Sequence, residues 1–199
     1  MNSLGNPVIG LGERIPEYEG LPLKWMPHFQ VADVGKSVES TLELGGKDLM
    51  HSKTEDGISQ WAVLEDPSGS AFGIIPVVDS ADFDADANKS CGRIAWLSLA
   101  VEDAVTTGKF YERVLGWTSK PSGEKFEMYI DDETSAAEIY GVGSESDLKS
   151  VWLIHVPVGD LVESIGIAKE NGGEVIEELD GGAIIRDPVG VYFALKSAQ

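Results

Sequence analysis

Three histidines, His28, His51 and His155, and one cysteine, Cys91, stand against 34 aspartates and glutamates in this chain. A histidine can ligate a metal or act as a general base. His28 and His155 occupy matching places, each three residues after a tryptophan, Trp25 and Trp152. Each is read either in one of those roles or as a histidine satisfied by a hydrogen bond to a neighbour, and the second is the expectation. Cys91 alone cannot close an intrachain disulfide, which fits a reducing, cytoplasmic setting. It has no obvious partner and reads as a buried or linker residue rather than a nucleophile. Asp79, Asp82, Asp84 and Asp86 alternate with small residues. A calcium loop wants glycine after the third acidic position and glutamate at the twelfth. Ala87 and Arg93 stand there, so the run reads as a solvated acidic linker.

The whole chain is acidic as well. Fifteen Lys and Arg against 34 Asp and Glu give a net charge of −19 over 199 residues. That charge repels phosphate backbones and anionic lipid, so nucleic acid and membrane surfaces are excluded as expected partners. No apolar run approaches the ~20 residues of a membrane helix. The first twenty residues have no basic segment followed by a long apolar one, so no secretory signal is expected.

The elements that must position the histidines come from a repeat. WMPHFQVADVGKSVESTLELGG, from Trp25, aligns without a gap on WLIHVPVGDLVESIGIAKENGG, from Trp152. Leu64-Glu-Asp-Pro-Ser-Gly69 then matches Ile185-Arg-Asp-Pro-Val-Gly190, each followed by a short apolar run. The unit reads as strand, helix, then strands. Trp25 to Val31 is aromatic and β-branched. Val34, Val38 and Leu42 carry helical spacing up to Gly45-Gly46, and Leu161, Ile165 and Ala168 carry it up to Gly172-Gly173. The Asp-Pro-x-Gly segments are turns. A weaker third copy lies between. It has a strand from Ile94 to Val101, a helix capped by Glu102-Asp103 that runs through Phe110, Tyr111, Val114 and Leu115 to Gly116, and strands at Phe126–Ile130 and Ala136–Val142. Asn6 to Leu11 reads as the last strand of a further unit whose other elements are missing, or as an extended tail. The division expected is an incomplete N-terminal domain at 1–77, the acidic linker at 78–92 and a complete two-unit domain at 93–199.

Asp103 followed by Phe110-Tyr-Glu-Arg-Val-Leu-Gly-Trp117, together with the Gly-Gly helix ends and Asp-Pro-x-Gly turns, resembles modules of the vicinal oxygen chelate superfamily. Its members include glyoxalase I, bleomycin-resistance proteins and extradiol dioxygenases. The resemblance runs from about residue 5 to 197 and looks most like tandem glyoxalase-like proteins. It implies an α+β fold in which paired β-α-β-β-β modules form a half-open eight-stranded barrel around a cleft. Metal-dependent members place three or four His, Glu or Gln ligands on the first and last strands of their modules, leaving open positions for substrate. Carried over, those positions fall on Trp96, Leu153 and Ala194, with Met26 and Gly73 in the N-terminal copy. Trp96, Leu153 and Ala194 carry no donor for a hard or borderline cation. A fourth position, near Glu138, does not align. No metal and no cofactor are therefore expected.

Alternation places His28 and His155 on the strand face of the lost ligand positions. The expected cleft of the complete domain is Trp96, Ser98, Tyr129, Leu153, His155 and Ala194; that of the N-terminal module is Met26, His28 and Gly73. Trp25, Trp96, Trp152, Tyr129 and Tyr192 suit a core first, although aromatics also line small-molecule pockets. The leading expectation is a metal-free protein binding a small organic molecule of unknown identity. Two alternatives stay open: a lyase, isomerase or dioxygenase-type enzyme working through ligands at other positions or through acid-base work by His155 and Glu138, and a scaffold without a ligand or a truncated gene product. A lone N-terminal module leaves a sheet edge and a concave face uncovered. It is expected to pair with its copy as a homodimer, the competing outcome being packing on its own chain. Residues 93–199 are expected to fold without residues 1–90.

Overall fold

The computed structural model describes residues 10, 15–77, 94 and 96–198. Cys91, the acidic linker and, apart from Gly10, the strand expected at Asn6–Leu11 lie outside the described residues. The fold is α+β, with three α-helices and twelve strands in two sheets among the described residues. Each repeat is one β-α-β-β-β unit. The first is β1 (His28–Val31), α1 (Val34–Glu43), β2 (Lys47–Lys53), β3 (Ser59–Glu65) and β4 (Ala71–Pro76). The second is β5 (Trp96–Val101), α2 (Ala104–Leu115), β6 (Thr118–Ser122), β7 (Lys125–Tyr129) and β8 (Ser135–Gly141). The third is β9 (Val151–Val158), α3 (Leu161–Glu170), β10 (Glu174–Leu179), β11 (Gly182–Arg186) and β12 (Tyr192–Ser197). Within every unit the first strand lies beside the last, giving the orders β1-β4-β3-β2, β5-β8-β7-β6 and β9-β12-β11-β10.

The same local chemistry starts each helix. Asp33, Asp103 and Asp160 sit at the N-caps in extended conformation and accept from the backbone N–H of Lys36, Thr106 and Glu163. That satisfies one of the four orphan donors of a first turn. The Gly-Gly ends divide two tasks. Gly45 and Gly172 take positive φ, +86° and +84°. Gly46 and Gly173 permit close approach, since an added Cβ would lie 2.5 Å from the Glu65 carbonyl oxygen or 2.9 Å from that of Ala168. The expected first strand from Trp25 is shorter, beginning at His28.

The chain forms two compact units. One joins Met26–Ser80 to Ser98–Trp152; the other is built around Leu153–Gln199. In the first, Ser37 Oγ on α1 donates to the Val114 carbonyl on α2 at 2.7 Å. Phe29 meets Trp117 and Trp152 edge-on, at centroid separations of 4.9 and 5.4 Å, and Phe72 meets Tyr111 at 5.3 Å. The N-terminal module is thus packed on the middle module of its own chain. Residues 93–199 alone would lack the contacts that Phe29 and Phe72 make to Trp152 and Tyr111. In the second unit Leu161, Ile165 and Ala168 lie against Ala183, Ile185 and Leu195, the stripe their spacing predicts.

Candidate functional site

The three residues expected to line the N-terminal cleft are brought together. His28 and Gly73 are register partners on the parallel strands β1 and β4. The imidazole lies so close over Gly73 that an added Cβ would sit 2.3 Å from Cδ2. Nδ1 is 3.0 Å from the Met26 carbonyl oxygen, which accepts from the N–H tautomer. β1 alternates, with Phe29 and Val31 buried and His28 and Gln30 exposed. His28 therefore sits on the face away from the aromatic core, exposed and hydrogen-bonded to backbone.

The third module repeats this pairing, with His155 opposite Ala194 on β9 and β12. A small residue again faces the histidine. Leu153, 1% exposed, and Ala194, fully buried, carry only hydrocarbon. Trp96 and His155 are half-buried. Trp96, Leu153, His155 and Ala194 belong to one compact unit, Ser98 and Tyr129 to the other.

Ser98 is 2% exposed. Tyr129 stands among polar groups on one face of the middle-module sheet. Its hydroxyl donates to Glu127 Oε2 at 2.7 Å, and Lys120 Nζ lies 3.9 Å from its ring centroid. This hydrogen bond holds the Glu127 carboxyl below the usual range and pushes the Tyr129 phenol up. Glu138 is the register partner of Glu127. Lys125 Nζ reaches both Glu138 oxygens at 3.2 Å and lies 5.5 Å from the Tyr140 ring. The face thus offers two tyrosine rings, two carboxylates and two ammonium groups, with Met128, Ala137 and Ile139 buried on its reverse.

The residues do not fit the divalent metal that the resemblance would bring. Among the described residues no three His, Cys, Asp or Glu side chains converge as ligands. Trp96, Leu153 and Ala194 supply no donor, and Glu138 is engaged by a lysine.

Sequence reasoning did not find a buried polar network. Asp66, 2% exposed, begins the Asp-Pro-Ser-Gly turn. Its Oδ1 accepts from the backbone N–H of Ser68 and Ser70 at 2.8 and 2.9 Å, and its Oδ2 from the Tyr111 hydroxyl at 3.0 Å. Trp152 Nε1 donates to the Tyr111 oxygen at 3.2 Å. Desolvation raises the Asp66 carboxyl above its ordinary range against these bonds, and burial drives the Tyr111 phenol well up. The repeat match of Asp66 with Asp187 concealed the difference, because Asp187 forms the same turn on a more open surface.

No family model matches the chain. A curated relative, the anthracycline biosynthesis protein DauV of Streptomyces sp. (strain C5), is 25% identical over 167 residues; the match covers 81% of this chain and 59% of that protein. The chain thus spans about three fifths of the relative's length. Among solved structures, 2,2',3-trihydroxybiphenyl 1,2-dioxygenase from Sphingomonas wittichii strain RW1 matches 87% of this chain and 68% of its own, with a TM-score of 0.53 and 13% identity. The 2,3-dioxygenase LapB from Pseudomonas sp. KL28 matches 85% and 70%, with a TM-score of 0.51 and 12% identity. At such identities the likeness is one of fold.

Proposed function

This chain has the vicinal oxygen chelate fold, and on that premise we propose that it binds a small, flat organic molecule without a metal. The observation that carries this reading is the face bearing Tyr129, Tyr140, Glu127, Glu138, Lys120 and Lys125, which combines stacking surfaces with polar groups of both signs. Aromatic surface with a few placed polar groups is the composition of small-molecule sites. The absence of donors at Trp96, Leu153 and Ala194 supports binding independent of the fold's usual metal. The name of DauV, anthracycline biosynthesis, makes polycyclic aromatic polyketides the first ligand class to try.

The test is titration of the full chain with an anthracycline, followed by tryptophan quenching and by calorimetry. Saturable binding is expected, unchanged after dialysis against a chelator and about tenfold weaker in Tyr129→Ala. Elemental analysis should find less than one zinc, nickel, iron or manganese per chain. Absence of saturable binding, or one tightly held transition metal per chain, would overturn the reading.

A further inference from the structure

A second cluster lies apart from these faces, on the first module's sheet. His51 on β2 places Nε2 2.9 Å from Ser59 Oγ on β3 and Nδ1 3.2 Å from Asp48 Oδ2. An ionised carboxylate only accepts, so in the neutral imidazole Nδ1 carries the proton, and Nε2 then presents its lone pair to the Ser59 hydroxyl. This is the connectivity nucleophile, base, orienter, which is recognised by geometry rather than by position in the chain.

The backbone departs from regularity to make it. Asp48 and His51 are three residues apart and would point to opposite faces of a regular strand. The register of β2 slips between Asp48 and Met50, so Asp48 pairs with Leu64 and His51 with Ala62, two positions of one face. Bulges that re-aim side chains in this way recur beside active sites. A second slip, between Ser52 and Lys53, brings Ser59 to the same end. The His51 side chain is 11% exposed and Asp48 28%, so the base is shielded yet reachable. The first turn of α1 adjoins the hydroxyl, since a Cβ added at Gly35 would lie 3.4 Å from Ser59 Oγ. Lys36 N–H in that turn is taken by Asp33, whereas the N–H groups of Val34 and Gly35 have no acceptor within a helix.

We propose that Ser59 is a nucleophile activated by His51, with Asp48 as positioning residue, and that this site accepts acyl groups from carboxylic esters. Ser59 Oγ forms a bond to the ester carbonyl carbon while its proton passes to His51 Nε2. The alkoxide leaves with that proton as the carbonyl re-forms. Water then attacks the acyl carbonyl carbon, giving a proton to His51 Nε2, and as the acyl–Oγ bond breaks His51 returns that proton to Ser59 Oγ, releasing the carboxylic acid. The backbone N–H groups of Val34 and Gly35, in the helix turn beside Ser59, are the donors this proposal assigns to the developing oxyanion. The proposal is independent of the ligand-binding reading, and neither outcome of one test decides the other.

The experiment treats the full chain with a fluorophosphonate, whose phosphorus bonds to Ser59 Oγ as fluoride leaves, and separately with 4-nitrophenyl acetate. Peptide mass spectrometry is expected to find the phosphonyl group on Ser59. Labelling should vanish in Ser59→Ala and slow at least ~100-fold in His51→Gln, the usual size of a general-base effect. Asp48→Asn should slow it and Asp48→Glu partly restore it. Ser59→Cys guards against misfolding, because its thiol should react with iodoacetamide faster than in the Ser59→Cys, His51→Gln double variant. Far-UV circular dichroism checks each fold. No adduct on Ser59 in the native chain, or equal rates with and without His51, would overturn the proposal and leave the three side chains as a fastening of the β2–β3 hairpin.

Discussion

Asp66 and Tyr111 show how single side chains tie two modules into one compact unit. Tyr111 is fully buried and serves as acceptor for Trp152 and donor to Asp66. Tyr111→Phe leaves the indole N–H and one carboxylate oxygen without their partner, and each buried orphan costs ~1–3 kcal/mol. Urea denaturation should show a loss of that order, and a change below ~0.5 kcal/mol would contradict the network's role. The pH dependence has a definite sign. The folded-state pKa of Asp66 is raised above 3.8, so between that value and the raised one the unfolded chain releases a proton that the folded chain keeps. Stability from this group is fully present below 3.8 and is lost as pH rises through the folded value. The stability of the native chain relative to Asp66→Asn should therefore fall as pH rises through this window and level off above it. A difference that instead grew with pH would mean that the hydrogen bonds outweigh desolvation.

Two glycines at equally tight spots should respond differently when the elements around them are considered. Gly46 joins α1 to β2, where an added Cβ would lie 2.5 Å from the Glu65 carbonyl oxygen and 2.7 Å from Thr41 Cγ2. The oxygen belongs to β3 and cannot swing away, so Gly46→Ala must move the helix end, at ~1–3 kcal/mol as for other overpacked sites. At Gly73 the obstacle is the His28 ring, a side chain on an exposed face. Gly73→Ala should leave the melting temperature nearly unchanged while shifting the His28 imidazole resonances in NMR. Equal thermal losses in both variants would show that the His28 ring is held as firmly as the backbone. The doubled Gly-Gly motif was legible from spacing alone, since a C-cap demands glycine whatever lies beyond. The reason for its second glycine was not, because closeness to β3 or to Arg186 is set by the packed helix.

For the whole molecule, deletion of residues 1–90 is the sharpest probe. It removes Phe29, Phe72 and Asp66 from Tyr111 and Trp152. The remaining fragment should aggregate or bind a hydrophobic dye, where the full chain does not. A soluble, cooperative fragment would show that the aromatic cluster is dispensable. Association is a separate matter. Among the described residues β1 is an edge strand of its sheet, and an unpaired edge favours a second copy across a two-fold axis. Light scattering of the full chain at micromolar concentration should then report about twice the chain mass. A monomer at high concentration would refute the dimer.

The sequence by itself determined the module. Turn chemistry, N-cap aspartates, glycine ends and hydrophobic spacing act within a few residues, so three β-α-β-β-β units, their strand faces and the pairing of His28 with Gly73 and His155 with Ala194 were all within reach of the repeat. Only tertiary structure decided which modules share a core, because aromatic side chains such as Phe29 and Trp152 are apolar in any arrangement and carry no address. It also decided the fate of Asp66, identical in motif to Asp187 yet buried by Tyr111 from 45 residues away. The Asp48–His51–Ser59 chain escaped for the same reason. Two register slips create it, and a strand's bulges depend on the partner strand it must match.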